Sequence, residues 1–167
     1  PHASQHIPEL HAILTAELQD LYSAETQLLA ALPQMADAAN DTELRRGFAL
    51  HLQETQQQVA RLEAICNALD INPRGHTCKA MQGLIAEGNE AITGQHAPFA
   101  RDIALIGAAQ RVEHYEIAAY TFTHTLATWI GEKRATGELR VSLDEERATS
   151  SKLGGLLSSL LSTTVNR

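Results

Sequence analysis

Four acidic residues, Glu25, Glu54, Glu113 and Glu146, fall where long helices should show an unbroken apolar stripe. A buried carboxylate is costly, because desolvation disfavours its charged form and neighbouring carboxylates repel one another. Several converging on one core point to a bound cation, which turns that repulsion into ligation. Glu116 lies one turn beyond Glu113 on nearly the same face, and His51 precedes Glu54 by one turn, adding a fifth carboxylate and an imidazole. The set of Glu25, Glu54, Glu113, Glu116 and Glu146 with His51 as a sixth ligand is rich in oxygen. Such a donor set suits iron or manganese better than copper, and zinc is less natural without thiolates or more imidazoles.

The stripes that must position these residues can be traced. The first reads Leu10, Leu14, Leu18 or Glu17, Leu21, Glu25, Leu28 and Leu32, so Glu25 points inward. A later one reads Ile103, Ile106, Gln110, Glu113, Ile117, Tyr120, His124 and Ala127, and the last reads Leu139, Leu143, Glu146, Ser150, Leu153, Leu157 and Leu160. Glu145 is turned roughly 100° from Glu146 and off the seam. The second stripe is the least clean: Leu44, Phe48, His51 or Leu52, Thr55, Val59, Leu62 and Cys66, with His51, Glu54 and Gln58 along its border.

Helices are expected at about 8 to 38, 41 to 69, 99 to 130 and 132 to 163, with a shorter one at about 77 to 92. Pro33 should kink or locally break the first. Asp41 or Thr42 can cap the second, Asp102 can cap a later start of the helix that follows Pro98, and Gly131 ends that helix. Asn72-Pro73 and Gly75 mark a clear break, as do His96 to Pro98. No strand pattern competes, since aromatic residues are few and Ala, Leu, Glu and Gln dominate.

Short turns make the first two long helices, and the last two, antiparallel neighbours, whereas residues 70 to 98 form one long link. The expected architecture is all-α: a ferritin-like four-helix bundle with a long central crossover containing a short extra helix, in a single domain spanning 1 to 167. Depth along the bundle gives an independent check. Glu25 and Glu54 each lie about 13 residues from the turn between their helices, roughly 20 Å along the axis. Glu116 precedes Gly131 by 15 residues and Glu146 follows it by 15, so the second half repeats the symmetry.

Composition narrows the partners. A net charge of −7 without any Lys/Arg cluster argues against nucleic acid or an anionic membrane. No apolar run approaches the roughly 18 residues of a membrane helix, and a basic leader is missing, so a cytoplasmic location is expected. Cys66 and Cys78 form no metal-binding spacing and read as buried thiols. His124 is too far along its helix from Glu116 to share an ion, and His2, His6, His11 and His114 form no ligand pattern. Tyr22 and Tyr120 lie one turn from Glu25 and Glu116 and can donate to them, although core packing is the simpler role. Interhelical ion pairing would be the bland account of the acids, but Arg61, Arg111 and Arg147 fall largely on other faces.

The strings Asp20-Leu21-Tyr22-Ser23-Ala24-Glu25, His51-Leu52-Gln53-Glu54-Thr55 and Glu113-His114-Tyr115-Glu116-Ile117, in this order, resemble the YciF/YciE family of ferritin-like bacterial stress proteins. The resemblance covers nearly the whole chain, including Leu84-Ile85-Ala86-Glu87-Gly88 in the crossover. It implies a rubrerythrin-related bundle, a homodimer and a di-iron site. The usual ferritin-like set takes one Glu from each of two helices and Glu-x-x-His from each of two others. This chain instead has the reversed order His51-x-x-Glu54, the pair Glu113-x-x-Glu116, and Thr149 where a histidine would follow Glu146. Two roles follow: a di-iron or di-manganese protein that reacts with dioxygen or peroxide and limits oxidative damage, or a structural stress protein whose metal site is vestigial or only stabilising.

Overall fold

The computed structural model describes residues 6–165 and places five helices there: α1 Ile7–Ala38, α2 Thr42–Ala68, α3 Lys79–Thr93, α4 Pro98–Ile130 and α5 Lys133–Val165. His2 lies outside the described residues. The ends follow from local chemistry. Asp41 caps α2 by accepting from the Leu44 N–H at 2.9 Å, Pro8 and Pro98 open α1 and α4 where no backbone donor is needed, and Gly131 takes the left-handed conformation, φ 93°, that closes α4. Helix α1 runs through Pro33 without the expected break. Asp102 departs from its expected capping role, because α4 already begins at Pro98. Its buried carboxylate instead reaches out of α4 and accepts the backbone N–H groups of Asn40 at 2.7 Å and Asp41 at 2.9 Å, which ties the start of α4 to the α1–α2 turn.

Helices α1, α2, α5 and α4 form a ring in which each packs against two neighbours. The link after α2 climbs the outside of this ring. Asn72 O accepts from Gln19 in the first half of α1, Cys78 O accepts from Gln27 in its second half, and Pro98 O accepts from Asn40 just past its end. Helix α3 thus lies in the groove between α1 and α4, with Met81 fully buried and Leu84, Ile85 and Ile92 packed on the core. This is the ferritin-like topology, in which the long crossover makes α4 antiparallel to α1.

The interior is divided along the bundle axis. One apolar cluster, around Leu28, Leu32, Leu44, Phe48, Leu105 and Leu153, fills the half near the α1–α2 turn. A second, around Leu14, Leu18, Leu62, Ile65, Leu126 and Leu139, fills the opposite half. Between them lies a polar layer.

Candidate metal centre

Every member of the ring sends charge or polarity into that layer. Glu25 from α1, His51, Thr55 and Gln58 from α2, Glu113 and Glu116 from α4, and Glu146 and Thr149 from α5 are all buried. The α2 set resolves the ambiguous second stripe. The buried positions run Leu44, Phe48, His51, Thr55, Gln58, Leu62 and Ile65, a regular seam in which His51 and Gln58 take the places that polarity alone would give to Leu52 and Val59. Helix α4 departs further from a single stripe, with Leu105, Ala108, Ala109 and Val112 also buried, because α3 covers a flank that solvent would otherwise reach.

His51, Glu113, Glu116 and Glu146 each offer a ligand atom, and those four atoms lie within 4.8 Å of one another. His51 Nε2 is 3.2 Å from Glu113 Oε1 and 3.9 Å from Glu146 Oε2. These contacts have ion-pair distances without hydrogen-bond alignment: both His51 nitrogens, both Glu116 oxygens, Glu113 Oε2, Glu146 Oε2 and Glu25 Oε2 lack a hydrogen-bond partner. Buried polar atoms are normally satisfied, so a concentration of orphans at one level needs a missing partner. All the carboxylate orphans are acceptors, and a divalent cation satisfies them together. This layer can hold a metal ion.

The other two expected ligands flank this group. Glu25 is fully buried, with Oε1 accepting from the Tyr120 hydroxyl at 2.5 Å and Oε2 directed at no donor. Glu54 is part-exposed at the edge of the layer, 3.5 Å from His51 Nδ1, and accepts from Thr149 at 3.3 Å. Thr149 thus occupies with a hydroxyl the place of the absent histidine. Tyr120 takes the orienting role toward Glu25, whereas Tyr22 donates to Glu63 on the outside of α2. Gln58, which polarity had placed on the border, donates to both Glu146 and Glu145. Arg61 clasps Glu145 through two bonds of 2.6 and 2.7 Å, so the nearest arginine is taken by the acid off the seam.

Electrostatics record the crowding. Burial, then the nearby charges of Glu25, Glu146 and Glu113, push the Glu116 carboxyl well above the usual range. Burial and the charges of Glu25 and Glu113 do the same to Glu146, against a smaller opposing pull from His51. Glu25 is pushed up to about 7 by burial, although the Tyr120 hydrogen bond and His51 resist. For His51, burial opposes protonation, but contact with Glu113 and Glu54 and the charge of Glu146 outweigh it and raise the imidazole well above its ordinary value. Glu54 moves the other way, held low chiefly by His51. Three carboxyls, Glu25, Glu116 and Glu146, are thus biased toward their neutral forms, and His51 toward its charged one.

A cavity of about 350 Å³ leads to the layer from the surface between α2 and α5. His51, Glu54, Glu113 and Thr149 mark its inner end, Leu28, Leu32, Phe48 and Leu153 are among its walls, and exposed Glu43, Arg46, Gly47 and Leu50 form its mouth. On the other side, the space left between α3 and the α1/α4 groove is only about 10 Å³.

Comparison with known proteins agrees with this architecture. The chain is 43% identical over 140 residues to Protein YciF of Escherichia coli K12, covering 83% of this chain and 84% of that one. The crystal structure of the E. coli stress protein YciF superposes with a TM-score of 0.89 at 39% identity, over 92% of this chain and 97% of that chain. YcfI of Rhodopseudomonas palustris, whose description suggests a structural protein, matches with a TM-score of 0.84 at 36% identity, over 87% and 92% of the two chains. Residues 9–166 match the family described as the domain of unknown function DUF892, and the chain belongs to that family of YciF-like helical bundles.

Proposed function

We propose that this chain is a carboxylate-bridged di-metal protein of the stress response, with iron as the ion its donors suit best, and that it reacts with dioxygen or peroxide to limit oxidative damage. The observation that carries the reading is the concentration of orphaned carboxylate oxygens around His51 at one level of an otherwise apolar bundle. His51, Glu113, Glu116 and Glu146 would form the centre of the site, and Glu25 and Glu54 would close it from opposite flanks. When bound, such ions supply electrons to an oxidant at a site that protein groups orient and keep dry. The chain's own part is positional. Tyr120 fixes Glu25, Gln58 fixes Glu146, and Arg61 holds Glu145 out of the layer.

Metal analysis of protein purified without added metal, followed by anaerobic Fe(II) loading and exposure to hydrogen peroxide or dioxygen, tests the reading. Bound iron should oxidise faster than free Fe(II), and Glu113→Ala should lose both the ion and the acceleration. Equal rates with and without protein, in samples shown to hold iron, would favour the second reading, a structural protein in which the metal only stabilises. The description of the R. palustris relative is what favours that alternative. In either reading the assembly is a homodimer, drawing on exposed apolar residues such as Trp129, and light scattering should give about twice the 18.2 kDa chain mass.

A further inference from the structure

Dioxygen and hydrogen peroxide are hardly larger than water, which takes about 30 Å³ in the liquid. The cavity that reaches His51 and Glu113 measures about 350 Å³, room for about a dozen water- or methylene-sized groups. Its walls are apolar between a charged mouth, where Glu43, Arg46 and Lys152 stand, and the polar inner end. There the polar groups are themselves buried, with His51 3% and Glu113 1% exposed, and both His51 nitrogens and Glu113 Oε2 are without hydrogen-bond partners.

The mouth is held open by sequence. Gly47 sits inside helix α2, where glycine is less favourable than alanine because it loses more backbone freedom on ordering. Its backbone conformation does not require it, since the one glycine with positive φ is Gly131. Nor does a neighbour exclude a side chain, because a Cβ at Gly47 would meet nothing within 4 Å. What the missing side chain leaves is the entrance. The matching groove on the α1/α4 side has α3 packed into it, so the α2/α5 groove is where this chain leaves an apolar channel to the polar layer.

We infer that the cavity binds alkyl hydroperoxides, with the O–O group at the His51/Glu113 end and a single alkyl tail along Leu28, Leu32, Phe48 and Leu153. This names the substrate class of the site and rests on the redox reading above. In the overall reaction R–O–O–H takes up two electrons and two protons, the O–O bond breaks, and the alcohol R–OH and one water leave. The reductant would be ferrous iron held in the polar layer, one electron from each of two Fe(II) ions, and the protons would come from solvent.

The test separates binding from turnover. With metal-free protein, isothermal titration of the unreactive alcohols from 1-butanol to 1-decanol should show affinity rising about fourfold per added methylene, the increment expected for burying each CH₂. Gly47→Phe, whose Cβ meets nothing within 4 Å, sets a ring at the mouth and should weaken 1-decanol at least tenfold. Leu156→Trp on the α5 wall does the same if the first variant fails to fold. No binding, or affinity independent of chain length, overturns the inference. If wild type binds no alcohol and Gly47→Phe turns a dimer into a monomer, the groove belongs to a second copy and the inference also falls.

Turnover then distinguishes this inference from the reading beneath it. In Fe(II)-loaded protein, Gly47→Phe should slow oxidation by decyl hydroperoxide at least tenfold more than it slows oxidation by hydrogen peroxide, which is small enough to pass a narrowed mouth. Acceleration with hydrogen peroxide but not the alkyl hydroperoxide overturns the inference and leaves the redox reading standing. Acceleration with neither of these nor with dioxygen removes both.

Discussion

Two opposite grooves of the four-helix ring, α1/α4 and α2/α5, flank the same polar layer and have been treated in opposite ways. Between α1 and α4, α3 buries Met81 completely and leaves about 10 Å³, too little to hold more than one water. Between α2 and α5, the walls are just as apolar but enclose about 350 Å³ and open to solvent. The polar groups follow the same division. Glu25 and Tyr120 on the sealed side are fully buried and bonded to each other, whereas Glu54 on the open side is part-exposed and lies beside His51. A bundle that needed only stability would close both grooves. Closing one concentrates access to the carboxylates on a single face.

The largest effect that can test this contrast is on the sealed side. Met81→Ala removes a fully buried side chain from the α3 contact and should cost about 2–5 kcal/mol in chemical denaturation. A loss below about 1 kcal/mol would mean that α3 is a loose cover and that the two grooves differ little. Next comes the layer itself. A divalent ion at a hundredfold excess over its Kd should stabilise the fold by about 2.7 kcal/mol, raising the melting temperature of a chain this size by about 5–10 °C. Glu113→Ala and Glu146→Ala should abolish that rise, while Glu145→Ala, which loses the Arg61 pair but no orphaned acceptor, should keep most of it. An unchanged melting temperature throughout a Mn(II) titration of chelator-treated wild type would sink the metal assignment.

A smaller effect should appear with pH. Glu25 is raised from 4.5 to about 7 in the fold, so its neutral form contributes stability that is complete below pH 4.5 and lost as pH climbs toward 7. The raised His51 acts in the same sense, fully stabilising below its unfolded value and losing that contribution as pH rises through its folded one. Metal-free protein should therefore melt lower at pH 7 than at pH 5.5. With saturating Mn(II) the slope should reverse, because the ion requires deprotonated carboxylates. Parallel slopes with and without metal would show that the ion binds elsewhere. The smallest expected change is at the open mouth, where Gly47→Ala should stabilise by about 0.5–1 kcal/mol by removing helical glycine. A destabilisation there would show that the backbone at Gly47 is packed against something.

Much of the fold was legible because its signals are local. Asp41, Gly131 and the prolines set helix ends within a few residues, and the placement of short and long links gave the topology. The inward direction of Glu25, Glu113, Glu116 and Glu146 was legible for the same reason, as a break in an apolar stripe. His51 and Gln58 were harder. A buried polar residue on a helix looks like the edge of its polar face until the regular spacing of its neighbours is given more weight than its chemistry. Asp102 was misread because a residue near a helix start can serve a turn distant in sequence. The unequal grooves left no mark in any single stripe, since they depend on where α3 lies.

The clamp from Asp102 to the α1–α2 turn also bears on time. Each pair, α1 with α2 and α4 with α5, joins neighbours in the chain and can come together through short closures, but Asp102 reaches Asn40 across 62 positions. Longer closures are entropically dearer, so this contact belongs to the docking of the two preformed pairs and not to the formation of either. Interactions made after the rate-limiting step scarcely alter how fast a chain folds, yet they slow its return to the unfolded state. Where that docking follows the rate-limiting step, Asp102→Ala should speed unfolding and leave the folding rate unchanged, shortening the lifetime of the assembled bundle.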